Sequence, residues 1–186
     1  MGIKAIMPPL PYLGMSNTVM NEAELIAEAQ GGILLTVEGY NKLQAELDYL
    51  TSVKRPEIAD RIRESQQHGE FSEDNNELDE VKFEQAMVEN RIGELKTIFG
   101  NAHVLDEAQI PMDRVGIGSV VTVRDLQFDD EFQVRVVMSV EADPANDLIS
   151  NESPMGMALL GHGSPSEVAF DAPEGKKRYQ ILAISR

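Results

Sequence analysis

The densest gathering of side chains able to do chemistry lies near the middle of the chain. Between Glu64 and Glu84 stand Glu64, Glu70, Glu73, Asp74, Glu77, Asp79, Glu80 and Glu84, opposed by a single lysine, Lys82. Glu70, Glu73 and Asp74 follow directly on Gly69, so three carboxylates crowd together where a glycine lets the chain reverse. Crowding like charges costs stability unless a cation or a basic partner offsets it. Carboxylate oxygens are the hard ligands that Mg²⁺ takes, but Mg²⁺ prefers six oxygens and keeps several waters, so the trio is a poor metal site alone. It makes sense as half of a site whose other ligands belong to a partner, such as a centre that performs phosphodiester chemistry with two metals. The other acids, above all Asp79, Glu80 and Glu84, read more simply as a solvated helix surface.

Composition removes several alternatives. The chain of 186 residues contains no cysteine, which excludes disulfides, thiolate metal sites and cysteine nucleophiles and is compatible with a reducing cytoplasm. His68, His103 and His162 are far apart in sequence and form no zinc pattern. A formal charge of -16 opposes general binding to a phosphate backbone, so any nucleic-acid contact must be local or delivered by a partner. The apolar start, Met1 to Met15, is interrupted by Pro8, Pro9 and Pro11 and is too short and broken to span a bilayer. A soluble, cytoplasmic protein with no membrane partner is expected. The three glycines between Gly156 and Gly163 do not have the spacing or flanks of a phosphate loop.

The acidic turn needs elements to hold it. Residues 1–34 read as a poorly ordered extension with one short helix, Asn21 to Gln30, stopped by Gly31 and Gly32. From Thr36, a suitable helix cap, Tyr40, Leu43, Leu47 and Leu50 recur at spacings of three and four. Ile58 and Ile62 continue the stripe beyond Pro56, where the helix should kink or restart. After Gly69 a second helix carries Leu78, Val81, Gln85, Val88, Ile92, Leu95 and Phe99, a seam that only Gln85 breaks. Two narrow seams joined by a short polar connection predict an antiparallel coiled-coil hairpin over 35–108, each arm spanning roughly 35 to 45 Å. From Ile117 the period shifts toward strands, through Val120, Val121, Val123, Phe132, Val134, Val136 and Val137, then 168–170 and 179–184, with a short helix over 154–160. Residues 115–186 are therefore expected to form a compact, mostly antiparallel sheet domain, and the chain to be α+β.

These segments resemble a known family, the bacterial Gre transcription elongation factors. The run from Leu35 through Tyr40, Leu43 and Leu50, followed by Val53 to Ile58, looks like the family's opening helix. Lys82, Glu84 to Ala86 and Glu89 to Ile92 are similar to its second helix, and Glu141 to Pro144, Ile149-Ser150, Ser153 to Gly156 and Ala158 to Gly161 to its C-terminal signature. The resemblance implies a coiled coil that enters the secondary channel of RNA polymerase and an FKBP-like domain that docks at the channel rim. It implies a monomeric accessory factor rather than an enzyme, with no cofactor of its own. Tip acids would share Mg²⁺ with the polymerase and promote cleavage of the RNA 3′ end in backtracked complexes.

The family's tip acids are an Asp directly after a Gly and a Glu three residues on. Here the positions are Gly69-Glu70 and Glu73, so Glu70 stands in place of Asp. Counting back from Glu77-Leu78 gives one extra residue, which lets Asp74 take the second position instead. The basic residues that the family carries near Met157 and His162 are missing. A cleavage-stimulating factor is the leading expectation, and a channel regulator that inhibits polymerase is the alternative. A prolyl isomerase would need an aromatic-lined pocket, for which the C-terminal region offers little beyond Phe128, Phe132, Phe170 and Tyr179.

Overall fold

The structure, a computed structural model, describes residues 32–68, 76–173 and 175–186. The expected helix Asn21 to Gln30 and the turn at Gly69 lie outside the described residues. Strand β1 (Ile33–Leu35) pairs in parallel with β2 (Ala102–Val104), Ile33 opposite Ala102 and Leu35 opposite Val104. Side chains along a strand alternate between faces, and β1 uses both. Leu34 packs into the core of the sheet domain, whereas Leu35 joins Leu43 and Leu95 in a cluster at the hairpin base. Ile33 and Leu34, which the sequence assigns to the extension, thus belong to the junction between the two domains.

Thr36 caps helix α1 (Val37–Tyr49), its hydroxyl accepting from the Gly39 amide at 2.9 Å. A π-helical turn, Leu50–Lys54, links α1 to α2 (Arg55–His68). Pro56 has no N–H to offer the carbonyl four residues back, and the wider turn just before it lets the Arg55 amide reach the Leu50 carbonyl. The expected interruption at Pro56 takes this form. Helix α3 (Asn76–Asn101) returns antiparallel. Leu43, Ile58 and Ser65 from the first arm and Val81, Ile92 and Leu95 from α3 are buried, and Tyr40 meets Phe99 edge to face with centroids 5.2 Å apart.

One seam position differs from expectation. Gln85 is exposed, and Glu84 is half-buried instead. Glu84 accepts a hydrogen bond from Arg61 and lies 3.7 Å from Lys54, so two cations offset its partial desolvation while Gln85 keeps its water.

The C-terminal sheet has the order β5-β4-β3-β7-β6. Its strands are β3 (Val120–Asp125), β4 (Glu131–Val137), β5 (Leu148–Ser150), β6 (Ser166–Ala172) and β7 (Gly175–Ser185). Four pair antiparallel, and β5 adds a parallel edge that the sequence pattern does not reveal, Arg135 opposite Leu148. Alternation sends Val121, Val123, Val134, Val136 and Ile181 into one core, covered by Leu159 of α4 (Pro154–Leu159). Ser153 caps α4 by accepting from the Gly156 amide at 3.0 Å. Any side chain at Gly156 would overlap the Ser150 carbonyl, so the helix closes tightly on β5 only with glycine there. The fold is α+β, a helical hairpin followed by a curled mixed sheet with a short helix.

Candidate functional site

Glu70, Glu73 and Asp74 lie outside the described residues, and what is described is the frame that carries them. α2 ends at His68 and α3 begins at Asn76, so the acids fall in sequence between the two arms. The arms are laced by ion pairs. Arg55 donates to both carboxylate oxygens of Glu89 at 2.7 and 2.6 Å, which raises the Arg55 pKa and holds Glu89 below the usual carboxylate range. Arg91 grips Glu46 in the same forked manner, at 2.7 and 2.9 Å, and donates to Glu94 at 3.2 Å. The hydrogen bond from Arg91 likewise lowers the Glu46 pKa. Lys54 lies 3.3 Å from Glu57, and Arg61 donates to Glu84.

Such half-exposed pairs contribute little individually, about 0 to 1 kcal/mol each. Their consequence is directional: these stem cations are held by stem acids rather than reaching toward the tip. Glu64, Asp79 and Glu80 are exposed on the arms beside the connection and extend its negative field. Among the described residues no cluster of three His, Asp or Glu side chains could hold a metal ion.

At the opposite end the hairpin is anchored to the sheet domain. Glu141, on a 3₁₀ turn (Ser139–Glu141), accepts from the Thr36 amide at 2.8 Å and from the Thr36 hydroxyl at 2.6 Å. Glu38 pairs with Arg135, and Lys42 with Asp143 at 3.0 Å. Together these groups line a cleft of about 240 Å³ that also receives Gly39, Glu46 and Arg91. Burial pushes the Glu141 carboxyl up, and the two hydrogen bonds from Thr36 offset part of that rise. Hydrogen bonds from Asn146 and Lys42 hold Asp143 below its ordinary value. The sequence marks Glu141 only as part of a signature. Its partner stands 105 residues away, and no local pattern announces the contact.

Both halves of this architecture match known proteins. Residues 33–104 fit the family model described as transcription elongation factor, N-terminal, and residues 110–186 fit that described as transcription elongation factor, GreA/GreB, C-term. The transcription elongation factor GreA of Clostridium botulinum is 44% identical over 153 residues, which cover 82% of this chain and 95% of that protein. The chain belongs to the Gre family. The GreA of Clostridium beijerinckii is 46% identical over the same length and shares. The crystal structure of GreA factor homolog 1 (Gfh1) of Thermus thermophilus is 31% identical, with coverage of 83% of this chain and 99% of that one and a TM-score of 0.40.

On the sheet domain of this Gre factor, Met157 projects from α4 with 61% of its surface exposed, where the resemblance leads one to expect basic character. His162 is exposed. The aromatic residues are engaged with one another: Tyr179 meets Phe132 and Phe170 edge to face at 5.5 and 5.3 Å. Phe128 is 60% exposed beneath the Lys177 ammonium. Phe132, Tyr179 and Phe170 thus form a packed row of rings. No helix among the described residues is long and apolar enough to cross a membrane.

Proposed function

We propose that this Gre factor binds RNA polymerase, inserts its hairpin into the secondary channel and stimulates cleavage of backtracked RNA, acting as a cytoplasmic monomer without catalysing the reaction alone. The observation that carries this reading is the match to GreA proteins across both the hairpin and the sheet domain. The frame supports it: the named stem cations are bound to stem acids, so the tip reaches its partner strongly negative. Glu70 and Glu73, or Asp74 in place of Glu73, supply hard oxygens too few to hold Mg²⁺ alone and suited to sharing it with the polymerase. When bound there, the metal would activate the attacking water and stabilise the leaving oxygen. The chain's own part is to deliver and orient carboxylates near the RNA 3′ end.

The test adds the protein with Mg²⁺ to stalled, backtracked elongation complexes and follows the RNA 3′ end. Shortening of the RNA is expected, and Glu70→Ala, or Glu73→Ala with Asp74→Ala, should slow it by about 100-fold or more while polymerase binding persists. The second reading, a channel regulator that inhibits polymerase, is favoured by Glu70 in the place of Asp and by the extra residue at the tip. It predicts bound factor with no shortening of RNA. Glu70→Asp combined with deletion of Asp74 should then confer cleavage.

A further inference from the structure

Many helices begin with a reciprocal pair of hydrogen bonds. The side chain of the first capping residue accepts from the amide three positions on, and a Glu or Gln at that third position reaches back to the capping residue's own amide. Helix α1 has the first bond, from the Gly39 amide to the Thr36 hydroxyl. It cannot make the second within itself, because the third position is Gly39. The missing carboxylate comes from the other domain: the Thr36 amide donates to Glu141 Oε1 at 2.8 Å, and the Thr36 hydroxyl donates to Oε2 at 2.6 Å. Glu141 is 7% exposed. A methyl group added at Gly39 would overlap the Glu141 carboxylate, so the glycine is what admits it.

We infer that Glu141 completes the capping box of the hairpin's first helix from the sheet domain, and that this split cap fixes the direction in which the hairpin leaves that domain. The surroundings fit a lock rather than a chance contact. Val140, the preceding residue on the same 3₁₀ turn, packs against the cluster at the hairpin base. Glu38–Arg135 and Lys42–Asp143 flank the cap, so three polar contacts and one apolar one join the first turns of α1 to the sheet domain. An arm tens of ångströms long converts a small rotation at its root into a large displacement at its end. Glu141 is thus a positioning residue for the tip acids. This consequence rests on the function proposed above, whereas the lock itself does not.

Because the chain has no cysteine, spin labels can be placed at Glu80→Cys on the arm and Gln127→Cys on the sheet domain without background, and the distance between them measured in the full-length protein. The parent and Glu141→Gln, which can still accept from the Thr36 amide, should give one narrow distribution. Glu141→Ala and Gly39→Ala should each broaden it. Gly39→Ala is the decisive variant: alanine is the better helix former, so a role confined to helix stability predicts unchanged or greater order. Circular dichroism establishes that the helices persist in each variant. In the backtracked-complex assay both broadened variants should lose about tenfold to a hundredfold in cleavage rate, as misplacement of reacting groups does, with polymerase affinity preserved. Narrow distributions in both Glu141→Ala and Gly39→Ala would overturn the lock. Broad distributions with full cleavage would overturn the positioning role. If the parent itself stimulates no cleavage, the proposed function fails separately, and the distances still decide the lock.

Discussion

Glu46 and Glu141 should respond to pH in opposite senses, although both are carboxylates bound by hydrogen bonds. The Arg91 fork lowers the Glu46 pKa, so its contribution to stability is present above the ordinary carboxylate range and is lost as pH falls through its folded value. Glu141 is pushed up by burial, with Glu38 adding to the rise and Arg135 opposing it, while Lys42 and Asp143 stand across the cleft. Its contribution is present below its ordinary value and is lost as pH rises through the raised one. Urea unfolding at a series of pH values should show Glu46→Gln destabilising at neutral pH by roughly 0 to 1 kcal/mol, since the pair is about one-third exposed, with the difference vanishing in acid. Glu141→Gln should instead gain on the parent as pH rises above the ordinary carboxylate range. Parallel shifts at every pH would refute both assignments. At this scale the tip acids stand out in the sequence because they cluster just after Gly69, and they lie outside the described residues. Glu141 does not stand out, because the group that gives it a role is brought to it only by the fold.

Among elements, the seam is where pattern and structure can be set against each other. The heptad pattern places Gln85 inside, which makes Gln85→Leu a stabilising repair. The structure exposes Gln85 and gives the half-buried place to Glu84, so the same substitution should change stability by less than about 0.5 kcal/mol. Leu95, fully buried at the base, marks the opposite case: Leu95→Asp should cost roughly 3 to 5 kcal/mol and disorder the hairpin. Thermal melts followed by circular dichroism separate the two, and a large effect of Gln85→Leu would restore the simpler seam. Helices α1 to α3 and strands β3, β4, β6 and β7 could be read from the sequence because each repeats its period, whereas the six-residue α4 is marked by Ser153 and Pro154 at its start. β1, β2 and β5 have three residues each and pair across long separations in parallel, so they complete too little of any period to be seen. The π turn before Pro56 was half-legible, since proline forces an interruption but does not specify its form.

For the whole molecule, the junction is the feature that makes two domains act as one body, and β1 is its thread. Leu34 and Leu35 are adjacent, 4% and 0% exposed, and project from opposite faces of β1 into different cores. A boundary drawn from composition alone passes through this strand, and a sheet domain begun at residue 115 omits Leu34, Leu105 and Ile110, all of which the structure places in that domain's core. Truncating one buried leucine costs roughly 2 to 5 kcal/mol, against a total stability of about 5 to 15 kcal/mol for a domain. A fragment of residues 115–186 should therefore melt without cooperativity, whereas 102–186, which keeps Leu105 and Ile110, should fold and compete with the full-length factor for polymerase. In the full chain, Leu34→Ala should lower amide-exchange protection in β3, β4 and β7 and spare α1 and α3. Leu35→Ala should do the reverse, because the Cβ atoms of neighbouring strand residues point to opposite sides. If either substitution lowered protection equally in both domains, the two cores would be one cooperative unit, and the hairpin would move with the sheet domain for that reason rather than through the contacts at its root.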